Sequence, residues 1–219
     1  MGIFLTPLPV AIAFLANLAA LVICYHAARS APWKALNGPG AFSAWCAFII
    51  ALPLLWRFEV PIVGGAALHL LGMPLFVLMF GLQLAIAGVG LAVIAYTAIH
   101  DALWANLGMN LLLLAILPAY CGETVMRLTQ KYFPHHIFVY LLGNGFFGAM
   151  AMLATIGVLS LGANELWVVH GPVGFDTVAY MLLLAWGESF LTGFLLTIFT
   201  VYRPEWVLTF DDDVYLRGK

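Results

Sequence analysis

The chain has 219 residues, of which 64% are hydrophobic and only 8% charged, with a mean hydropathy of +1.05 and a formal net charge of −2. A soluble domain carries about 25% charged residues, so this inventory excludes a water-exposed surface and, with it, a soluble enzyme. The few cations form no basic patch that could hold nucleic acid.

Length and hydropathy predict an all-α polytopic membrane protein with about seven transmembrane helices in one integral membrane domain over 1–219. The first span covers about 6–28. It lacks a basic leader and an obvious cleavage site after its alanine run, and so reads as a retained span, not a signal peptide. Ala16 and Ala20 stand four apart on it. Small residues at that spacing let another helix approach closely, either within the chain or as a dock for another subunit. A polar loop leads to the second span, about 41–56, which Arg57 and Glu59 close.

From Val60 to His100 there is no Asp, Glu, Lys or Arg. As one helix this stretch would be about 60 Å long, roughly twice the thickness of a bilayer core. It is therefore expected to fold back, as spans over about 62–80 and 82–99 joined by a tight turn near Gly81. The next span, about 109–126, contains Pro118, which removes a backbone hydrogen bond and predicts a kink. Spans over about 137–161 and 177–202 follow, and then a polar tail, 203–219.

Lys and Arg are retained on the cytoplasmic side. With these spans Arg29, Lys34, Arg127, Lys131, Arg203, Arg217 and Lys219 fall on one face, and Arg57 alone on the other. The N-terminus is then outside and the tail cytoplasmic. His69, His100, Asp101 and His170 lie at or near the outer face.

Polar groups inside a membrane tend to face a cavity or a partner. His69 sits about two helical turns inside the outer end of its span, among Gly64, Gly65 and Gly72. Neutral imidazole is the commonest metal ligand, although a hydrogen-bonded packing residue is the plainer reading. His100, Asp101 and His170 could complete an outward site, since nitrogen and oxygen donors suit divalent Ni, Co or Zn. They come from separate loops with no fixed spacing. Glu188 lies near mid-membrane, either functional or a carboxyl that locks helices together. Glu123 and Arg127 form an i,i+4 pair. Cys24, Cys46 and Cys121 have no C-x-x-C spacing and read as small apolar residues. Adjacent His135 and His136 point about 100° apart on a helix and fit one ion poorly. There is no nucleotide-binding glycine loop, nucleophile elbow or H-E-x-x-H motif.

Three short motifs carry a family resemblance. Gly64-Gly65-Ala66-Ala67-Leu68-His69-Leu70-Leu71-Gly72 resembles the G-x-x-x-H-L-x-G segment of the membrane substrate-capture component of cobalt/nickel energy-coupling-factor transporters, the CbiM/NikM type. Ala105-Asn106-Leu107-Gly108-Met109 looks like its Gly-Ala-Asn segment, and Glu188-Ser189-Phe190-Leu191-Thr192-Gly193 resembles its Glu-Ala-x-x-Thr-Gly. The resemblance implies seven spans in a bacterial cytoplasmic membrane, a divalent metal as cargo and no organic cofactor. Among its implied partners are membrane lipid, a transmembrane coupling subunit and ATPase subunits. It makes His69 a metal ligand, with Asn106 orienting it or closing the site, and the Ala16/Ala20 face a candidate dock. The family start is Met-His-Ile, whose amine, second backbone nitrogen and histidine ligate the metal; here it is Met1-Gly2-Ile3. Only His69 of that ligand set is matched.

The expected function is thus uptake of a divalent transition metal, cobalt- or nickel-like. The alternative is a non-transporting accessory subunit of a respiratory or oxidase-type membrane complex that keeps the fold. A haem-binding membrane redox protein is a third reading.

Overall fold

The computed structural model of the chain describes residues 2–61, 67–167 and 175–215. His170 and the last residues of the tail lie outside them. Among the described residues, five helices are long and apolar enough to cross a bilayer. These are α1 (Val10–Ser30), α3 (Met73–Ile99), α4 (Trp104–Tyr132), α5 (Val139–Trp167) and α6 (Phe175–Tyr202). A shorter apolar helix, α2 (Ala41–Trp56), joins them. The protein is a multi-pass, helical membrane protein, and its strands among the described residues are a two-residue ladder, Val60 opposite Leu68 and Pro61 opposite Ala67.

Helix α1 puts small residues inside and large ones outside. Ala13, Ala16, Ala20 and Ala27 are buried, while Phe14, Leu15, Leu18, Leu21 and Val22 are exposed. That inversion suits lipid, where close backbone approach and not apolar burial drives association. The buried face meets α4. A Cβ placed on Gly108 would come within 2.3 Å of the Asn17 Cα. Asn17 spans the contact, donating to the Ala105 carbonyl at 2.7 Å and accepting from the Gly108 N–H at 2.9 Å. The Ala16/Ala20 face is therefore buried within the chain.

Helix α3 is interrupted at Gly81, which has φ 77° and ψ 174°. The Phe76 ring lies so close to Gly88 that a Cβ there would be 2.6 Å from it. In a straight helix those positions would stand about 18 Å apart. The chain therefore doubles back at Gly81, as its uncharged length requires.

The first limb departs from the expected span over 62–80. Helix begins only at Met73, after Gly72 in the left-handed region (φ 72°) and with Pro74 in the first turn, where its missing N–H costs nothing. Upstream, His69 to Gly72 is irregular backbone running into the bundle. All residues from Met73 to Phe80 are buried. Irregular backbone beside a half-helix is tolerated at membrane depth only where protein satisfies its amides.

Helix α4 carries a π-helical turn at Leu112–Ile116 just before Pro118. Proline supplies no N–H to a carbonyl one turn back, and the wider turn accommodates that loss. Helix α6 buries a stripe of Thr177, Met181, Ala185, Glu188, Ser189, Thr192, Leu196 and Thr200. The tail then folds across the Gly81 end of the bundle. The Leu208 N–H donates to the Met79 carbonyl at 2.6 Å, and the Thr209 hydroxyl donates to that of Leu78. These are the orphan carbonyls at the end of the first α3 limb.

Candidate metal-binding site

The irregular segment after the β-ladder presents His69. Its side chain is 2% exposed, with the ring centroid 5.7 Å from that of Trp56. His69 Nδ1 is 2.9 Å from the Leu70 carbonyl oxygen. A carbonyl only accepts, so Nδ1 carries the proton and Nε2 of the neutral ring keeps its lone pair. Nε2 is buried and has no hydrogen-bond partner among the described residues. An imidazole anchored through one nitrogen and bare at the other is the usual preparation of a metal ligand.

Three bonds hold the residues that follow. Glu188, 2% exposed, accepts from the Leu71 N–H through Oε2 at 2.6 Å and from the Gly72 N–H through Oε1 at 2.7 Å. Trp56 Nε1 donates to the Leu71 carbonyl at 3.1 Å. The Glu188 carboxyl thus holds the two amides that immediately precede the half-helix. An apolar cavity of about 370 Å³, lined by residues including Phe48, Leu52, Leu70 and Leu195, reaches Glu188 and Thr192.

A wall of rings continues from Trp56. Tyr96 lies 5.7 Å from Trp56, His100 lies 4.1 Å from Tyr96, and Phe4 packs on Tyr96 at 4.7 Å. His100 Nε2 is also buried without a partner among the described residues. Asp101 is exposed, in a turn with φ 49°. Among the described residues no three His, Cys, Asp or Glu side chains come together.

The N-terminal segment enters beside this wall and is held by carboxamides of α4. Asn106 donates to the carbonyls of Ile3 at 2.9 Å and Thr6 at 2.8 Å, and accepts from the Leu8 N–H at 3.4 Å. Asn110 accepts from the Ile3 N–H at 2.7 Å and donates to the Ile3 carbonyl at 3.1 Å. The Leu103 N–H donates to the Phe4 carbonyl at 2.9 Å. The hydrogen bonds of Asn106 therefore go to the N-terminal segment and not to His69.

A family model for the cobalt uptake substrate-specific transmembrane region, CbiM, matches residues 5–206. The chain belongs to the CbiM family. Two crystal structures share the fold. One, described as a transition metal transporter, superposes with a TM-score of 0.72 at 18% identity and covers 95% of this chain and 96% of its own. The other, a truncated transition metal transporter, gives 0.68 at 18% identity and covers 91% and 98%. No curated protein matches by sequence.

Within this CbiM-family fold, Glu188 and the His69 segment, far apart in sequence, are brought into direct contact. Asn110, Trp56 and Tyr96 were missed by the sequence reading. Asn110 carried a signal, standing one helical turn from Asn106 in an otherwise apolar run. The Glu123–Arg127 pair forms, at 2.7 Å. His135 is exposed and His136 half-buried, and each sits against its own ring, Tyr215 and Phe138.

Proposed function

We propose that the chain is the substrate-binding membrane component of an energy-coupling-factor transporter that takes up a divalent transition metal, cobalt or nickel, across a bacterial inner membrane. The observation that carries this reading is His69 Nε2, a buried nitrogen with no partner among the described residues, in a membrane protein of the CbiM family. His69 binds the ion as cargo, and His100, Asp101 and His170 are the side chains from which further donors are drawn. The reversal at Gly81 supports counting the two limbs of α3 separately, giving seven crossings with the N-terminus outside and the tail cytoplasmic. Arg29, Lys34, Arg127, Lys131 and Arg203 then lie on the cytoplasmic side. The chain carries no nucleotide-binding motif, so ATP hydrolysis belongs to separate ATPase subunits joined through a membrane coupling subunit.

Purified chain in detergent micelles, titrated with Co(II) and Ni(II), tests the assignment. The wild type is expected to bind one of these ions and His69→Ala to lose it. Equal binding by the two removes His69 from the site.

The accessory-subunit reading draws on a specific observation: no three-ligand cluster forms among the described residues. Affinity purification from a native membrane separates the two readings. ATPase subunits in the eluate support transport, and respiratory or oxidase subunits support the accessory role.

A further inference from the structure

We infer that Glu188 is a positioning residue for the metal-binding imidazole, acting through the single peptide unit that joins Leu70 to Leu71. This rests on the reading of His69 as the cargo ligand and adds the group that fixes where the ligand stands.

The geometry is a relay of two hydrogen bonds through one rigid plane. His69 Nδ1–H donates to the Leu70 carbonyl at 2.9 Å. The N–H of that same peptide, belonging to Leu71, donates to Glu188 Oε2 at 2.6 Å. A peptide unit is planar, so fixing its N–H also fixes the direction of its carbonyl. The carbonyl in turn fixes the tautomer and tilt of the imidazole. Carboxylates commonly orient metal-ligating histidines by accepting the distal N–H directly. Here the main chain stands between them.

Two further bonds make the carboxylate a fixed point. Its other oxygen holds the Gly72 N–H at 2.7 Å, and Trp56 Nε1 holds the Leu71 carbonyl at 3.1 Å. The peptides on either side of Leu71 are thereby pinned to α6 and α2. The segment has no helical bonds of its own at this point, and its depth in the bundle is set from these side chains. Glu188 comes from the interior of α6, so it ties the depth of His69 to the register of that helix.

The test uses Glu188→Gln, which keeps the size of the side chain but offers one acceptor oxygen and turns an NH2 toward a backbone donor. Full-length protein in detergent micelles is titrated with Co(II) alone, and the affinity and visible absorption spectrum of the bound ion are read. The spectrum reports the ligand geometry, which a stability defect elsewhere does not change. Glu188→Gln is expected to elute as folded protein, to bind Co(II) at least tenfold more weakly and to shift its absorption bands. Glu188→Asp, which keeps two acceptors on a shorter stem, is expected to fall between it and the wild type. Ser189→Ala, whose hydroxyl donates to the Ala185 carbonyl of the same helix, is expected to match the wild type. Wild-type affinity and spectrum in Glu188→Gln overturn the positioning role alone. If that variant does not fold, the same result in Glu188→Asp overturns it. A wild-type chain that binds neither Co(II) nor Ni(II) overturns the cargo reading, and the role of Glu188 with it.

Discussion

Asn110 holds Ile3 by both of its main-chain groups, accepting from the N–H at 2.7 Å and donating to the carbonyl at 3.1 Å. The carboxamide thus does for one residue what a neighbouring strand would do in a sheet. Asn106, one turn away, takes the carbonyls of Ile3 and Thr6. The N-terminal segment has no regular structure of its own before Val10, so these side chains keep it in the bundle. Asn110→Ala leaves a buried N–H without a partner, which costs about 1–3 kcal/mol. The expected result is a lower unfolding midpoint in detergent together with faster amide exchange at residues 3–8. Exchange at wild-type rates would show that other contacts hold the segment.

Gly81 separates a steric requirement from a conformational one. Its φ of 77° and ψ of 174° lie in a region that is essentially glycine-only. A Cβ there would meet only Thr209 Cγ2, at 3.9 Å. Gly81→Ala should therefore destabilise through the backbone alone, by about 1–3 kcal/mol. Thermal unfolding in micelles checks this, with Gly90→Ala for comparison. Gly90 is helical, and its added Cβ would stand 3.6 Å from Leu111.

Much of this fold can be read from composition and length, and some of it cannot. The uncharged run to His100 had to fold back, and its turn falls at Gly81 because no other residue type takes that backbone cheaply. The same run misled over 67–72, since a buried extended segment and a buried helix are equally apolar. What distinguishes them is Glu188, which satisfies the amides of Leu71 and Gly72 from 117 and 116 residues away. Periodicity carries no sign of such a pairing. His69 and Glu188 were each visible as polar groups in apolar surroundings; their partnership belonged to the tertiary structure. His100 shares an aromatic wall with Trp56 and Tyr96 that no spacing rule links to His69.

The tail is bound to the first α3 limb through a small network. Thr209 donates to the Leu78 carbonyl, and the Tyr140 hydroxyl meets Thr209 at 2.7 Å and Leu78 at 3.5 Å. Thr209→Val and Tyr140→Phe are each expected to cost about 1 kcal/mol. Because they share Leu78, the double variant should cost less than their sum, whereas separate sites would add within about 0.5 kcal/mol. A denaturant series on the four proteins reads the coupling, and strict additivity would show that the two hydroxyls act independently.

Gly108 and Gly162 make opposite predictions from the same substitution. At Gly108 a Cβ would lie 2.3 Å from the Asn17 Cα and 2.4 Å from its backbone nitrogen. Backbone cannot give way as the end of a side chain can, so Gly108→Ala must push α1 away from α4. That movement breaks the bonds from Asn17 to Ala105 and Gly108 and strips cover from Ala16 and Ala20. Overpacking of this kind costs about 1–3 kcal/mol or more. At Gly162, in the interior of α5, nothing among the described residues lies within 4 Å of the added methyl. There alanine gains its helix preference over glycine, about 1 kcal/mol. Unfolding midpoints measured side by side should therefore fall for Gly108→Ala and rise for Gly162→Ala. A tolerated Gly108→Ala would mean that α1 is not seated on α4 at this distance, and the N-terminal segment held by Asn106 and Asn110 would lose its support.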